Sequence, residues 1–180
     1  MRIEMAEDFP DFPYPYWENV PWLINKYGLR QGVELGVLRG RTLAGILKRC
    51  PEVHMVGVDA WCDLPGGFDY AAVLKNFSHD ENHRVTLEKV KPYNDRVEII
   101  RDTTTNASRP IDDNSIDIVY VDAGHDYDNV KADIKNWMPK LKPGGWMTGD
   151  DYEWPGVQKA VNETIPTADV WKDKFWYLQV

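Results

Sequence analysis

Short apolar runs that alternate with segments of helical spacing constrain this chain more than any other feature. Gly32-Val-Glu-Leu-Gly36, Val53-His-Met-Val-Gly-Val-Asp59, Val97-Glu-Ile-Ile100, Ile116-Asp-Ile-Val-Tyr-Val121 and Trp146-Met-Thr148 read as strands. Leu43, Ile46, Leu47 and Cys50 recur at i, i+3, i+4 and i+7, which predicts a helix over 42–50. Val130, Ile134, Trp137, Met138 and Leu141 mark one face of a helix that stops before Pro143-Gly-Gly145, and Val157, Ala160, Val161 and Ile165 mark another. Strands alternating with amphipathic helices make βαβ units, and therefore a three-layer α/β sandwich whose mostly parallel sheet is covered on both faces. Phe175–Val180 predicts an antiparallel C-terminal strand, paired with Val170-Trp171.

The totals narrow the possibilities. The 180 residues suit one domain, large enough to bury a core without a disulfide or structural metal. Cys50 and Cys62, the only cysteines, form no framework and read as ordinary thiols. The net charge is -8 with no Lys/Arg cluster, which argues against nucleic-acid and anionic-membrane partners. No apolar run approaches a membrane span, and acidic residues occupy the N-terminus where a signal peptide would be apolar. A cytoplasmic location is the expectation.

Two segments depart from the alternation. Residues 1–30 hold an extended strap, Phe9-Pro-Asp-Phe-Pro-Tyr-Pro-Tyr-Trp17, in which proline excludes helix, and then a helix with Asn19 as N-cap, Pro21 in its first turn and Gly28 as its stop. The strap could pack on the domain, cover a substrate or contact a second copy in a homodimer. Between Asp59 and Val97 lie 37 residues, more than a connection needs. In this insertion, 60–95, Leu64–Tyr70 reads as a loop, and Ser78-x-x-Glu81 as a capping box opening a helix that ends before Pro92. A lid and a packed excursion are equally compatible with it.

The predicted strand ends carry the chemistry. Each of the five parallel strands ends in or beside a carboxylate: Glu34, Asp59, Asp102, Asp122 and Asp150-Asp151. Ligands of open α/β sheets bind beyond the carboxyl ends of the strands, so this concentration reads as a site, although any one acid could serve a helix cap or turn. The loop Glu34-Leu-Gly-Val-Leu-Arg-Gly40 lacks the G-x-G-x-x-G of a pyrophosphate turn. One tight approach beside an acid suits a cationic ligand free of phosphate. Asp59, 25 residues beyond Glu34, is placed to hold ribose hydroxyls.

Glu34-Leu-Gly-Val-Leu-Arg-Gly-Arg-Thr42, Gly57-Val-Asp59, Asp102-Thr103, Asp122-Ala-Gly-His125, Lys142-Pro-Gly-Gly145 and Asp150-Asp-Tyr152 resemble class I S-adenosylmethionine-dependent methyltransferases. The nearest likeness is to small metal-dependent O-methyltransferases of the macrocin O-methyltransferase type, which act on sugars. The resemblance spans roughly 31–152 and implies a Rossmann-like fold. It also implies that Glu34, Gly36, Gly40 and Thr42 hold the methionine part of S-adenosylmethionine, Asp59 the ribose, and Asp102-Thr103 the adenine. Asp122, Asp150 and Asp151 would hold a divalent cation, with His125 as general base. Gly124 stands where relatives often carry another acid, and the first loop is poorer in glycine than many.

Physical chemistry supports that division of labour. Neighbouring parallel strands lie about 4.8 Å apart, so Asp122 and Asp150-Asp151 can converge on one ion. An all-carboxylate set suits Mg²⁺ or a similar hard cation. The cation would acidify an acceptor hydroxyl on a small molecule, and His125 is of the right type to take its proton. Asp126 and Asp128 read instead as the start of the next helix. Trp61 and Tyr152 are candidates for an acceptor pocket or the core, and His79 and His83 for a solvated face. Two other functions stay open: a non-catalytic S-adenosylmethionine-binding protein and a nicotinamide-dependent oxidoreductase.

Overall fold

The computed structural model describes residues 16–63 and 78–180. Most of the strap and the loop 64–70 lie outside the described residues. After a 3-10 turn at Tyr16–Glu18 the chain runs α1 (Asn19–Tyr27), β1 (Gln31–Leu35), α2 (Arg41–Arg49) and β2 (His54–Asp59). It continues α3 (His79–Val90), β3 (Val97–Arg101), α4 (Thr104–Ser108), β4 (Ile116–Val121) and α5 (Tyr127–Trp137). The last elements are β5 (Leu141–Gly149), α6 (Pro155–Thr164), β6 (Asp169–Trp171) and β7 (Phe175–Gln179).

The strands form one sheet in the order β3-β2-β1-β4-β5-β7-β6. β1 to β5 are mutually parallel, whereas β7 is antiparallel to both β5 and β6. The order reverses between β1 and β4, so their carboxyl ends form the switch point where such sheets open a crevice.

Period-two alternation divides the sheet between two cores. Val33 and Leu35 of β1 join Val119, Val121 and Met147 under α5 and α6. Met55, Ile118, Tyr120 and Trp146 face α1 and α2 on the other side. The many tryptophans are largely structural, since Trp137, Trp146 and Trp176 are among the largest fully buried side chains. Truncating one to alanine costs about 3–5 kcal/mol.

Several boundaries differ from the sequence reading. The N-cap of α1 is Glu18 and not Asn19, because the preceding 3-10 turn carries the helix one residue back; Asn19 is buried in the first turn. Gly28, at φ 63°, closes α1 as expected. Leu141 belongs to a strand and not to the helix face: Pro139 ends the helical run in a 3-10 turn, and β5 then runs straight through Pro143-Gly-Gly145. The short helix α4 was invisible because its sequence, Thr-Thr-Asn-Ala-Ser, offers no apolar stripe.

The described part of the insertion is anchored on the sheet's carboxyl edge. Ser78 caps α3 by accepting the Glu81 N–H at 3.2 Å, which realises the capping box. Thr86 donates its hydroxyl to the Leu38 carbonyl at 3.1 Å, and Lys89 reaches the Arg39 carbonyl at 2.8 Å. Asn82 accepts from the Arg39 guanidinium at 2.9 Å. α3 thus buttresses the loop that follows β1. Trp17 lies against the other flank of α2, on Gly45, where a methyl group would fall 2.4 Å from the ring.

Candidate active site

Backbone ladders set the strand ends side by side. Gly36 N–H donates to Val58 O at 2.9 Å, Asp122 N–H to Leu35 O at 2.8 Å, and Asp150 N–H to Val121 O at 3.2 Å. Gly36 has φ 87°, and a Cβ there would lie 2.0 Å from the Asp122 carbonyl oxygen. Only glycine lets the first loop pass so close to the end of β4. Gly40, at φ 67°, is the N-cap of α2, and Thr42 sits half-buried in that helix's first turn.

Asp59 organises the first loop. Its Oδ2 accepts the N–H groups of Val37 at 2.9 Å and Leu38 at 2.8 Å, while Oδ1 accepts that of Trp61 at 2.8 Å. Leu38 and Trp61 both have left-handed backbones, at φ 51° and 42°. Such residues cost about 1–2 kcal/mol each, so the carboxylate offsets strain at both. Trp61 is core, donating its indole N–H to Leu38 O at 2.7 Å. His83 is not simply solvated, since its ring packs on Trp61 at 4.5 Å.

Asp102 and Thr103 form the start of α4. Asp102 Oδ1 accepts from Thr103 N–H at 2.7 Å and from the Asn106 amide at 3.0 Å, while the Thr103 hydroxyl caps the helix through Asn106 N–H. These bonds hold the exposed Asp102 carboxyl below the usual carboxylate range, the Asn106 contact foremost. The adjoining Thr104 donates to the buried Asp133 at 2.5 Å. Burial pushes the Asp133 carboxyl up to about 7.

At the ends of β4 and β5, Asp122, His125 and Asp151 each bring one ligand-type atom within 4.8 Å of the others. His125 Nε2 lies 2.7 Å from Asp151 Oδ2. The imidazole is stacked on Trp154, with centroids 5.2 Å apart and planes at 27°. Asp150 is directed differently: its Oδ2 accepts the Tyr120 phenol at 3.2 Å, and its Oδ1 accepts the Asp151 N–H at 2.9 Å. Tyr120 is thus a member of the site that sequence reasoning missed. Its signal was period two, because residues 120 and 122 of a strand face the same side. Trp154 was missed for lack of any such periodicity. Asp126 is the N-cap of α5, accepting from Asn129 N–H at 3.1 Å, and Tyr152 bonds Asn162 at 2.9 Å.

Carboxylates dominate the electrostatics, with Lys174 acting on Asp150. Burial pushes the Asp122 carboxyl well up, and the Asp150 and Asp151 carboxylates push it further. Burial likewise raises Asp150. Glu34 is 1 % exposed, and its Oε2 has no hydrogen-bond partner among the described residues. Its carboxyl is raised well above the usual range by burial, then by Asp122 and Asp59. A buried carboxyl unpaired at Oε2 beside two more acids is a costly arrangement, and it fits a site completed by positive charge.

Residues 33–152, well over half of the chain, match the family described as methyltransferase domain. The uncharacterized protein y4gI of Sinorhizobium fredii is 32% identical over 141 residues, covering 73% of this chain and 14% of that protein. The uncharacterized protein R132 of Acanthamoeba polyphaga mimivirus is 28% identical over 149 residues, covering 79% of this chain and 62% of that one. The chain therefore spans less than two thirds of either relative. Among solved structures, the O-methyltransferase from Bacillus cereus in complex with S-adenosylhomocysteine superposes with a TM-score of 0.65 at 13% identity, covering 97% of this chain and 86% of that one. The O-methyltransferase NovP gives 0.63 at 20% identity, covering 99% and 88%. CalS11, a TDP-rhamnose 3'-O-methyltransferase of calicheamicin biosynthesis, gives 0.54 at 21% identity, covering 98% and 85%. The chain belongs to the methyltransferase domain family and has the Rossmann-like fold of the S-adenosylmethionine-dependent O-methyltransferases.

Proposed function

We propose that the protein transfers a methyl group from S-adenosylmethionine to a hydroxyl of a small molecule, with a divalent cation assisting. The observation that carries this reading is the contact at the switch point. The glycine loop, suited to the cofactor, passes directly over the backbone of Asp122, whose side chain belongs to the acidic cluster. A methyl donor on one side and an acceptor oxygen on the other would meet there.

The chain's own residues fit both partners. Glu34, buried and unpaired at Oε2, suits the ammonium group of the methionine part, and Gly36 leaves room for close approach. The edge formed by Asp59, Asp102 and Thr103 is available to the nucleoside, with Asp59 acting on the loop's shape as well as offering its remaining lone pair. Asp122 and Asp151 suit a divalent ion, and the neighbouring Asp150 adds its negative charge. When bound, the cofactor supplies an electrophilic methyl on a sulfonium, and the cation lowers the pKa of the acceptor hydroxyl. Transfer of that methyl to the acceptor oxygen would leave S-adenosylhomocysteine, with the hydroxyl proton passing to a carboxylate of the cluster or to water. Holding the reactants in line is worth up to about 7–11 kcal/mol of the barrier.

Sugars are the first acceptor class to test, since CalS11 acts on a rhamnose hydroxyl. Incubation with methyl-labelled S-adenosylmethionine and a panel of free and nucleotide-linked sugars and catechols should give a labelled ether with at least one. Cofactor binding with no turnover across the panel would contradict a catalytic role toward these classes.

A further inference from the structure

We infer that the cation is held by Asp122, His125 and Asp151, a mixed oxygen and nitrogen set, and that Asp150 is a positioning residue which aims Asp151. This rests on the metal-assisted reading above and revises the roles that the sequence implied.

Three ligand-type atoms lie close enough to share one ion. Ligand atoms about 2.0–2.4 Å from one ion can be no more than about 4.8 Å apart. The atoms offered by Asp122, His125 and Asp151 satisfy that limit. Close by, Glu34 Oε2 is buried with no hydrogen-bond partner among the described residues, and its carboxyl and that of Asp122 disfavour each other's charge.

Both oxygens of Asp150 are already engaged. One of its oxygens accepts the phenol of Tyr120, which is fully buried, and the other accepts the backbone N–H of the very next residue. That second bond supports a strained turn, since Asp151 has φ 58°. The turn is fixed on its far side as well, where Trp154 N–H donates to Asp151 O at 2.9 Å and Tyr152 N–H to Lys174 O at 2.9 Å. Left-handed backbone at Asp151 carries its carboxylate to His125. Asp150 therefore acts through Asp151, as outer groups around metal sites commonly do.

His125 is held from two sides. Its ring is stacked on Trp154, and the first turn of α6 is packed against its backbone: a Cβ on Gly156 would lie 2.4 Å from His125 O. A nitrogen bound to an ion has no lone pair left for a proton, so His125 would not be the base. The acceptor's proton would pass to a carboxylate or to water.

An imidazole among the ligands changes which ion is preferred. Mg²⁺ favours all-oxygen sites, whereas later divalent ions accept nitrogen. The site should therefore prefer Mn²⁺ to Mg²⁺ by at least about tenfold.

The test uses the full chain, stripped with chelator and titrated with Mn²⁺ alone. Loss of the free-ion electron paramagnetic resonance signal reads affinity, and electron spin echo modulation reads directly bound nitrogen. The expected result is one Mn²⁺ per chain with nitrogen modulation, displaced by Mg²⁺ only in large excess. His125→Gln should abolish the modulation and weaken binding by at least about tenfold. Asp150→Asn and Tyr120→Phe should keep the modulation and weaken binding less. Bound Mn²⁺ without nitrogen modulation in the unaltered protein would overturn the inference, and so would loss of the modulation in Asp150→Asn alone. Absence of Mn²⁺ binding while S-adenosylhomocysteine still binds would also overturn it, leaving methyl transfer intact. Failure of S-adenosylhomocysteine to bind would instead sink the functional reading itself.

Discussion

Asp59 accepts the backbone N–H of Leu38 at 2.8 Å, and by that bond the end of β2 dictates the shape of the loop after β1. Val37 and Trp61 donate to the same carboxylate. Asp59→Ala strands three donors in a partly buried place, at about 1–3 kcal/mol for each that finds no water. We expect a lowered melting temperature together with at least about tenfold weaker S-adenosylhomocysteine binding, while Mn²⁺ affinity is unchanged. Calorimetry with each ligand in turn separates the two effects. Unaltered cofactor affinity would remove Asp59 from the cofactor site.

Asp133 gives the protein a pH-dependent stability. Its carboxyl titrates at about 7 in the folded chain because it is buried, against about 3.9 when unfolded. A carboxyl raised on folding costs nothing where both states are protonated. The cost grows as pH rises through the unfolded value and is complete above the folded one. Stability should therefore fall between about pH 4 and pH 7 by up to about 4 kcal/mol from this group. Asp133→Asn can still accept the Thr104 hydroxyl, and thermal melts of the variant should show a flatter profile over that window. An equally steep fall in the variant would assign the pH dependence to other acids, Glu34 and Asp122 first.

Two glycines offer a matched comparison. Gly28 and Gly36 both have positive φ, but among the described residues nothing lies within 4 Å of a Cβ at Gly28, whereas one at Gly36 would meet the Asp122 carbonyl at 2.0 Å. Gly28→Ala should cost only about 1–2 kcal/mol, for its left-handed backbone. Gly36→Ala should cost several times more, because the ends of β1 and β4 must part. Denaturant unfolding of the two variants checks the ratio. Similar losses would mean that the approach at the switch point is loose.

Much of the fold was legible because apolar periodicity reports burial directly. Ile116–Val121 is a strand with the bounds its sequence suggested. Leu43, Ile46 and Leu47 are buried on α2. What escaped was set by neighbours distant in sequence. α4 has no stripe of its own and is held by Thr104 to Asp133 and by the Trp137 indole to Thr104 O. In the same way, spacing brought Asp122, Asp150 and Asp151 to one edge, but only the left-handed turn at Asp151 decides that its carboxylate meets His125 while Asp150 turns to Tyr120.

This sheet edge should bind the methyl-transfer cofactor. Calorimetric titration of the purified chain with S-adenosylhomocysteine tests it most directly. We expect saturable one-to-one binding, at micromolar affinity, that Asp59→Ala weakens. No heat of binding from well-folded protein, with or without Mn²⁺ or Mg²⁺, would contradict it.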